Sequence, residues 1–154
     1  MTSLVLTRLD YGNAGIPLYL LKRLKSVMNS AARLVFSSSR YDHITPFLRQ
    51  LHWLKAGERI DFKLALLVYT CQHGAALSCL IAHELRQPAD FEARSRLRSA
   101  SSSSLIVRRT RLLTVSDRAF PVTAARVWNT VPQHVTSASS LSVFCSGLNI
   151  HLFI

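Results

Sequence analysis

The sequence predicts a mainly α protein, a helical bundle with a small β hairpin element in its C-terminal half. Three observations lead to this prediction. Apolar residues recur at helical spacing through residues 17–36 and again through residues 56–71. A serine run follows the first segment and Gly74 follows the second, and both are signals that end helices. Between residues 105 and 115, β-branched and apolar residues lie next to turn formers, which favours short strands.

The segment 17–36 gives the strongest helix prediction. Pro17 suits a first helical turn, and the apolar pattern continues for five turns. Its apolar positions are Leu20, Leu21, Leu24, Val27, Met28, Ala31, Leu34 and Val35. Lys22 and Lys25 fall on the other side, which is either a solvated face or a face that contacts phosphates.

Two further helices are predicted before residue 72. Residues 44–51 form a short one, with Thr45 as N-cap and Pro46 at the first position. Residues 56–71 form a long one that is apolar nearly all round, which is typical of a central buried helix. Trp53, in the loop between them, is expected in the core. Shorter helices are expected near residues 2–11 and 75–85.

The C-terminal half is predicted to be organised differently. Residues 88–104 contain Pro88, three arginines and a serine-rich run, a composition typical of a flexible linker. The chain therefore divides into a helical bundle at 1–87, a basic Ser-rich linker at 88–104 and a small α+β segment at 105–154. Within the last segment, residues 124–131 are expected to form a short helix with Trp128 buried. Residues 141–153 are expected to form a terminal helix that Gly147 weakens.

The charge balance indicates a polyanionic partner. The 154 residues carry a formal net charge of +11. Residues 1–87 hold 11 Lys and Arg against 5 Asp and Glu, and residues 88–154 hold 8 against 3. Every basic residue of the second part is an arginine, whose planar fork matches phosphate oxygens and stacks on bases. The alternative is that these arginines form an ordinary solvated surface.

The sequence carries no signal that indicates a secreted protein and no motif that indicates an enzyme. Three cysteines make an odd number, and no apolar run approaches the length of a membrane span, so we expect a soluble intracellular protein, nuclear or cytoplasmic. The sequence has no glycine-rich phosphate loop and no adjacent pair of acids that could hold two metal ions. One group of ligand-type residues is a candidate zinc site: Cys71, His73, Cys79 and His83. Their spacing is unusual for zinc, so no metal and no cofactor is expected. An enzyme that uses Cys71 or Cys145 remains an alternative.

Six segments carry a resemblance to a known family. In order they are LVLTRLDYGNAGIP (4–17), LLKRLKSVMNSAARLV (20–35), YDHITPFLRQLHWL (41–54), ERIDFKLALLVYTCQHG (58–74), RLRSASSSSLIVRRTRL (96–112) and DRAFPVTAARVWNTVP (117–132). Together they resemble the C-terminal part of the reverse transcriptase of LINE-type (non-LTR) retrotransposons of the jockey-like kind. The resemblance covers nearly the whole chain.

The resemblance implies the helical thumb and the tail after it, which hold template and primer. The catalytic aspartates of that family lie upstream, so nucleic-acid binding without polymerisation is expected. Residues 77–79 depart from the family, which has a Pro-Pro-Tyr-like turn there. Residues 145–149 also depart, because they carry no charge where the family's last helix carries a basic cluster.

The expected function is therefore low-specificity binding of RNA or an RNA–DNA hybrid through phosphate contacts. The candidate contact residues are Arg96, Arg98, Arg108, Arg109, Arg111, Arg118 and Arg126, with Lys22 and Lys25. The alternative is a structural or protein-interaction remnant with no ligand of its own, self-associating through surface that the missing palm would have covered.

Overall fold

The computed structural model of the protein describes residues 16–74, 85, 104–107 and 119–153. These residues contain six α-helices and no strand. In chain order the helices are α1 (Leu18–Phe36), α2 (Thr45–Gln50), α3 (Ala56–Gln72), α4 (Phe120–Thr130), α5 (Gln133–Thr136) and α6 (Leu141–Phe153). The prediction of a mainly α protein is confirmed. The β hairpin is not shown: residues 104–107 have no regular secondary structure, and residues 108–118 lie outside the described residues.

Contacts between residues divide the chain into two units, Met1–Ile60 and Asp61–Ile154. The boundary falls within α3, whose first turn belongs to the first unit and whose remainder belongs to the second. The predicted linker lies outside the described residues except for Ser104, so the predicted division at 87 and 105 stays a prediction.

In the first unit, α1 ends at Phe36 as the sequence predicted, but it begins at Leu18, one residue after the predicted start. Pro17 is extended and precedes the helix, and its carbonyl accepts the first helical hydrogen bonds. Ser37 takes the left-handed conformation at φ 50° and ends the helix, and the next amide, Ser38 N, donates to Arg33 O at 3.0 Å. This closure satisfies carbonyls of the last turn that would otherwise lack partners.

The core of the first unit is smaller than the apolar pattern of α1 suggested. It consists of Met28 and Ala32 from α1, Leu48 from α2, Trp53 from the following loop and Ala56 from α3. The predicted burial of Trp53 is confirmed, and Trp53 N donates to Leu48 O at 2.8 Å. The start of α2 differs from the prediction: the N-cap is Ile44, and Thr45 is the first helical residue, with no side-chain cap.

Several apolar residues of α1 are exposed instead of buried. Leu34 is 80% exposed and Val27 is 52% exposed, and Leu18 and Tyr19 are also exposed. Val27 lies about 100° around the helix from Met28, so the apolar positions cover a wider arc than the core can contact. The apolar pattern of α1 therefore has one part that packs in the core, with Met28 and Ala32, and an outward stripe that is exposed, with Val27 and Leu34.

The core of the second unit is built around aromatic side chains. Tyr69 of α3 stacks on Phe144 of α6 with ring centroids 4.2 Å apart, and Trp128 of α4 stacks on Phe144 at 5.9 Å. Phe144 and Trp128 are almost fully buried, which confirms the prediction for Trp128. A side chain at Gly147 would contact Val135 of α5 at about 3.5 Å, so α5 and α6 lie close together there.

Two helices of the second unit differ from their predictions. α4 begins at Phe120, four residues before the predicted start, because Pro121 occupies its first turn, where proline needs no hydrogen-bond partner for its nitrogen. α3 is not buried all round, since Leu64, Ala65, Val68 and Tyr69 are buried while Leu67 is 44% exposed. Among the described residues, no helix combines the length and apolar character needed to cross a membrane.

Candidate nucleic-acid interface

Three of the nine predicted contact residues lie in the described part of the chain. Lys22 and Lys25 are exposed on α1, and Arg126 is exposed on α4. The other six lie outside the described residues, namely Arg96, Arg98, Arg108, Arg109, Arg111 and Arg118. The structure therefore places two predicted residues on one helix of the first unit and one on a helix of the second.

Two exposed cations of α1 form a basic face. Lys22, Arg23 and Lys25 are all exposed, but only Lys22 and Lys25 are neighbours one turn apart. Arg23 lies about 160° around the helix from Lys25, so it does not belong to this face. α1 contains no acid, so no carboxylate of its own helix opposes this face.

The acids of the first unit engage its own chain. Residues 16–60 contain eight Lys and Arg but only Asp42 and Glu58 as acids. Asp42 Oδ2 accepts a hydrogen bond from Ser39 N at 2.8 Å. Glu58 Oε2 accepts one from Lys55 N at 3.0 Å, and Glu58 Oε1 pairs with Lys55 Nζ at 2.9 Å. The positive potential of this unit is therefore mostly uncompensated.

A small cleft lies beside the basic face. Its volume is about 80 Å³, which is room for several water molecules. Its polar lining comes from Lys25, Asn29, Thr45 and Lys55, and its apolar lining is Met28, Ile44, Leu48 and Ala56. The Lys25 ammonium, the Asn29 amide and the Thr45 hydroxyl can donate hydrogen bonds to an oxyanion, while the Lys55 ammonium is already paired with Glu58.

In the second unit, the segment 104–107 is held to α4 through one side chain. Asn129 Oδ1 accepts a hydrogen bond from Leu105 N at 2.8 Å, and Asn129 Nδ2 donates to Leu105 O at 2.9 Å. Leu105 itself is only 3% exposed. Arg126 precedes Asn129 by three residues and so lies on the same side of α4. Asn129 is not among the predicted site residues, because its partner Leu105 is 24 residues away in the sequence.

The described part of the chain offers little support for a metal site or an activated thiol. No group of three metal-ligating side chains occurs among the described residues, and Cys79 and His83 lie outside them. His73 Nδ1 is 3.0 Å from Tyr69 O, so that nitrogen donates to a carbonyl instead of facing a ligand.

Burial raises the pKa of the Cys71 thiol, and a hydrogen bond with Thr70 only partly offsets this. A nucleophilic cysteine needs the opposite shift. Cys145 is partly buried.

In comparisons with known proteins, no family model, no curated protein and no solved structure matches the chain. The family resemblance therefore rests on the six sequence segments alone.

Proposed function

We propose that this chain binds the phosphate backbone of RNA or of an RNA–DNA hybrid with low sequence specificity and without catalysis. The observation that carries the proposal is the basic face of α1, Lys22 and Lys25, in a unit whose two described acids are both held by its own backbone. A face of this kind attracts a polyanion through the entropy of counterion release.

The resemblance to LINE-type reverse transcriptases supplies the biological setting of the proposal. We infer that the chain corresponds to the thumb and the tail after it, the part that holds template and primer in that family. The sequence has no adjacent Asp-Asp pair for two catalytic metal ions, which supports binding without polymerisation. A nucleic-acid ligand would place the protein in the nucleus or the cytoplasm.

The geometry of the basic face supports contacts to the backbone more than to bases. Lysine carries its charge on a long flexible stem and binds phosphate as a point charge. Such contacts position a protein on nucleic acid but do not read its sequence. The cleft beside the face, lined by Lys25, Asn29, Thr45 and Lys55, can receive one phosphate group of the bound strand.

The test compares the affinities of a labelled RNA hairpin, an RNA–DNA hybrid and a DNA duplex at one low salt concentration. The variant K22A/K25A removes two charges from the basic face. The control R40A/R49A removes two charges from exposed positions of the same unit that do not lie on α1. We expect the first variant to weaken binding of the RNA hairpin and the hybrid by about tenfold or more, and the control to weaken it much less. Equal losses in both variants would contradict a site on α1.

A second candidate function has one observation in its favour. The outward stripe of α1 exposes Val27 and Leu34, and α6 exposes Val143 and Ile150. Exposed apolar side chains of this kind favour self-association of a structural remnant that has no ligand. Size-exclusion chromatography over a range of protein concentrations separates the two candidates, because a monomer at all concentrations contradicts the second.

A further inference from the structure

The outward stripe of α1 repeats every seven residues. Leu20 continues it by one heptad, so that Leu20, Val27 and Leu34, which are 36%, 52% and 80% exposed, lie along one line of the helix. In a straight α-helix such a line turns by about 20° per heptad, which is the path that a second helix follows when it crosses at about 20°. The line is about 21 Å long, the length of four helical turns.

The side chains along this line form two holes of the kind that receive a side chain from a partner helix. Such a hole is bounded by residues at positions i, i+3, i+4 and i+7. The first hole is bounded by Leu20, Arg23, Leu24 and Val27, and the second by Val27, Ser30, Ala31 and Leu34. Because Ser30 and Ala31 are small, the second hole has room for a large apolar side chain.

The core of the first unit holds the inner edge of both holes in place. Leu24 and Ala31 are partly buried and pack against the core cluster that contains Met28 and Ala32. Residues packed in this way cannot move without disturbing the core. The outward stripe is therefore a preformed surface, and a partner helix would lose little free energy in ordering it.

The charges beside the outward stripe determine which partner it fits. Arg23 lies about 40° around α1 from Val27 and borders the first hole. α1 carries four cations and no acid, and the only acids of residues 16–60, Asp42 and Glu58, are held by the backbone of their own unit. A second copy of α1 would bring only further cations towards Arg23, whereas a helix with acids beside its apolar side chains would complement it.

We infer that the outward stripe of α1 is a docking surface for an amphipathic helix of another protein, one that carries large apolar side chains at heptad spacing and acids beside them. Two of its apolar side chains occupy the two holes, and one of its acids pairs with Arg23. This surface is separate from the basic face, since Lys22 lies about 140° around α1 from Val27. The inference therefore goes beyond the proposed function and does not depend on RNA binding.

The test uses the full chain and a synthetic peptide of about four helical turns, with leucines at positions a and d, glutamates at e and g and alanines elsewhere. A second peptide has lysine in place of every glutamate. Fluorescence anisotropy measures the affinity of each peptide for the wild type and for V27Q/L34Q, which removes two apolar side chains from the outward stripe without a change of charge. The matched control is L18Q/Y19Q, which replaces two exposed apolar residues of α1 that lie off the stripe.

We expect the glutamate peptide to bind the wild type and to bind V27Q/L34Q about tenfold or more weakly, because the apolar contacts at the centre of an interface carry most of its affinity. L18Q/Y19Q should bind this peptide as the wild type does, and the lysine peptide should not bind. Arg23→Ala should weaken binding of the glutamate peptide less than V27Q/L34Q does, and added salt should reduce that loss.

Four results would overturn the inference. The first is equal affinity of the glutamate peptide for the wild type and V27Q/L34Q. The second is a much lower unfolding temperature in V27Q/L34Q than in L18Q/Y19Q, which would show that the protein's own chain covers the outward stripe. The third is self-association of the wild type that V27Q/L34Q abolishes, which would assign the stripe to a second copy. The fourth is binding to anionic phospholipid vesicles that the same variant abolishes, which would assign it to a membrane surface.

Discussion

Tyr69 contributes to the second unit through both its ring and its hydroxyl. The ring stacks on Phe144 at 4.2 Å and on His73 at 3.9 Å, and the hydroxyl donates to Ala138 O at 2.9 Å. Tyr69→Phe keeps the stacking and removes only the hydrogen bond, so we expect a loss of about 1 kcal/mol in the free energy of unfolding. Urea unfolding measures this loss. The matched control is Tyr41→Phe, since Tyr41 is 92% exposed. A loss of similar size in this control would contradict the assignment of the loss to the hydrogen bond between Tyr69 and Ala138 O.

Cys71 provides a test of pH dependence at a single thiol. Burial raises its pKa, so the reactive thiolate forms at higher pH in the folded protein than in the unfolded one. The same shift favours the folded state at low pH, and that contribution is lost as the pH rises through the folded pKa. With Cys79 and Cys145 replaced by serine, we expect the alkylation rate to rise at higher pH in buffer than in denaturant. A midpoint below the denatured value would instead indicate an activated thiol.

At the scale of single residues, the sequence identified large side chains better than polar partners. Trp53 and Trp128 were predicted in the core because a large ring next to apolar segments gains most from burial. Asn129 could not be found, because its type is common at exposed helix positions and its partner Leu105 is distant in the sequence. Pairings over such distances depend on the fold, which periodicity does not supply.

The start of helix α3 is stabilised by residues next to it in the sequence. Glu58 Oε2 accepts a hydrogen bond from Lys55 N at 3.0 Å, which is half of a capping box, and its charge lies near the positive end of the helix. We expect Glu58→Ala to lower the free energy of unfolding by about 1 kcal/mol, and Glu58→Gln to lower it less, because glutamine retains the acceptor oxygen. Chemical denaturation compares the two variants.

The same two variants also test the electrostatic argument. Both remove the carboxylate that pairs with Lys55 Nζ at 2.9 Å, in the lining of the cleft. Both should therefore bind RNA more tightly than the wild type by a similar, small factor, and added salt should reduce the difference. Unchanged RNA binding in both would remove the cleft from the interface.

Helix existence was easier to predict than helix faces and starts. The bounds of α1 follow from Pro17 and the serine run, which are local signals. The start of α4 was missed because proline marks either the end of a segment or the first turn of a helix, and only the packing of the preceding residues decides between them. The exposed stripe of α1 was missed because an apolar residue at helical spacing does not reveal how many neighbours exist to cover it.

At the scale of the whole chain, the described basic residues are unevenly distributed. Residues 16–60 hold eight Lys and Arg, whereas residues 119–153 hold only Arg126. The net charge of +11 predicts a polyanion partner, but it could not show that α1 would present an acid-free basic face. That face depends on which side of α1 the core covers.

The arginines at 108, 109 and 111 remain a prediction from the sequence, since they lie outside the described residues. Changing all three to alanine should lower RNA affinity and flatten its dependence on salt. With fewer phosphate contacts, binding releases fewer counterions from the RNA. Binding at several salt concentrations measures both effects. Unchanged binding would remove this cluster from the interface and leave the basic face of α1 as the main contact.

The central claim, binding through phosphate contacts at the basic face of α1, is tested most directly by the salt dependence of RNA binding. The measurement is log K against log salt for a labelled RNA hairpin with the wild type and K22A/K25A. We predict a steep negative slope for the wild type and a slope smaller by about 0.7–0.9 per lysine lost in the variant. A slope near zero in the wild type, or the same slope in both proteins, would contradict the account.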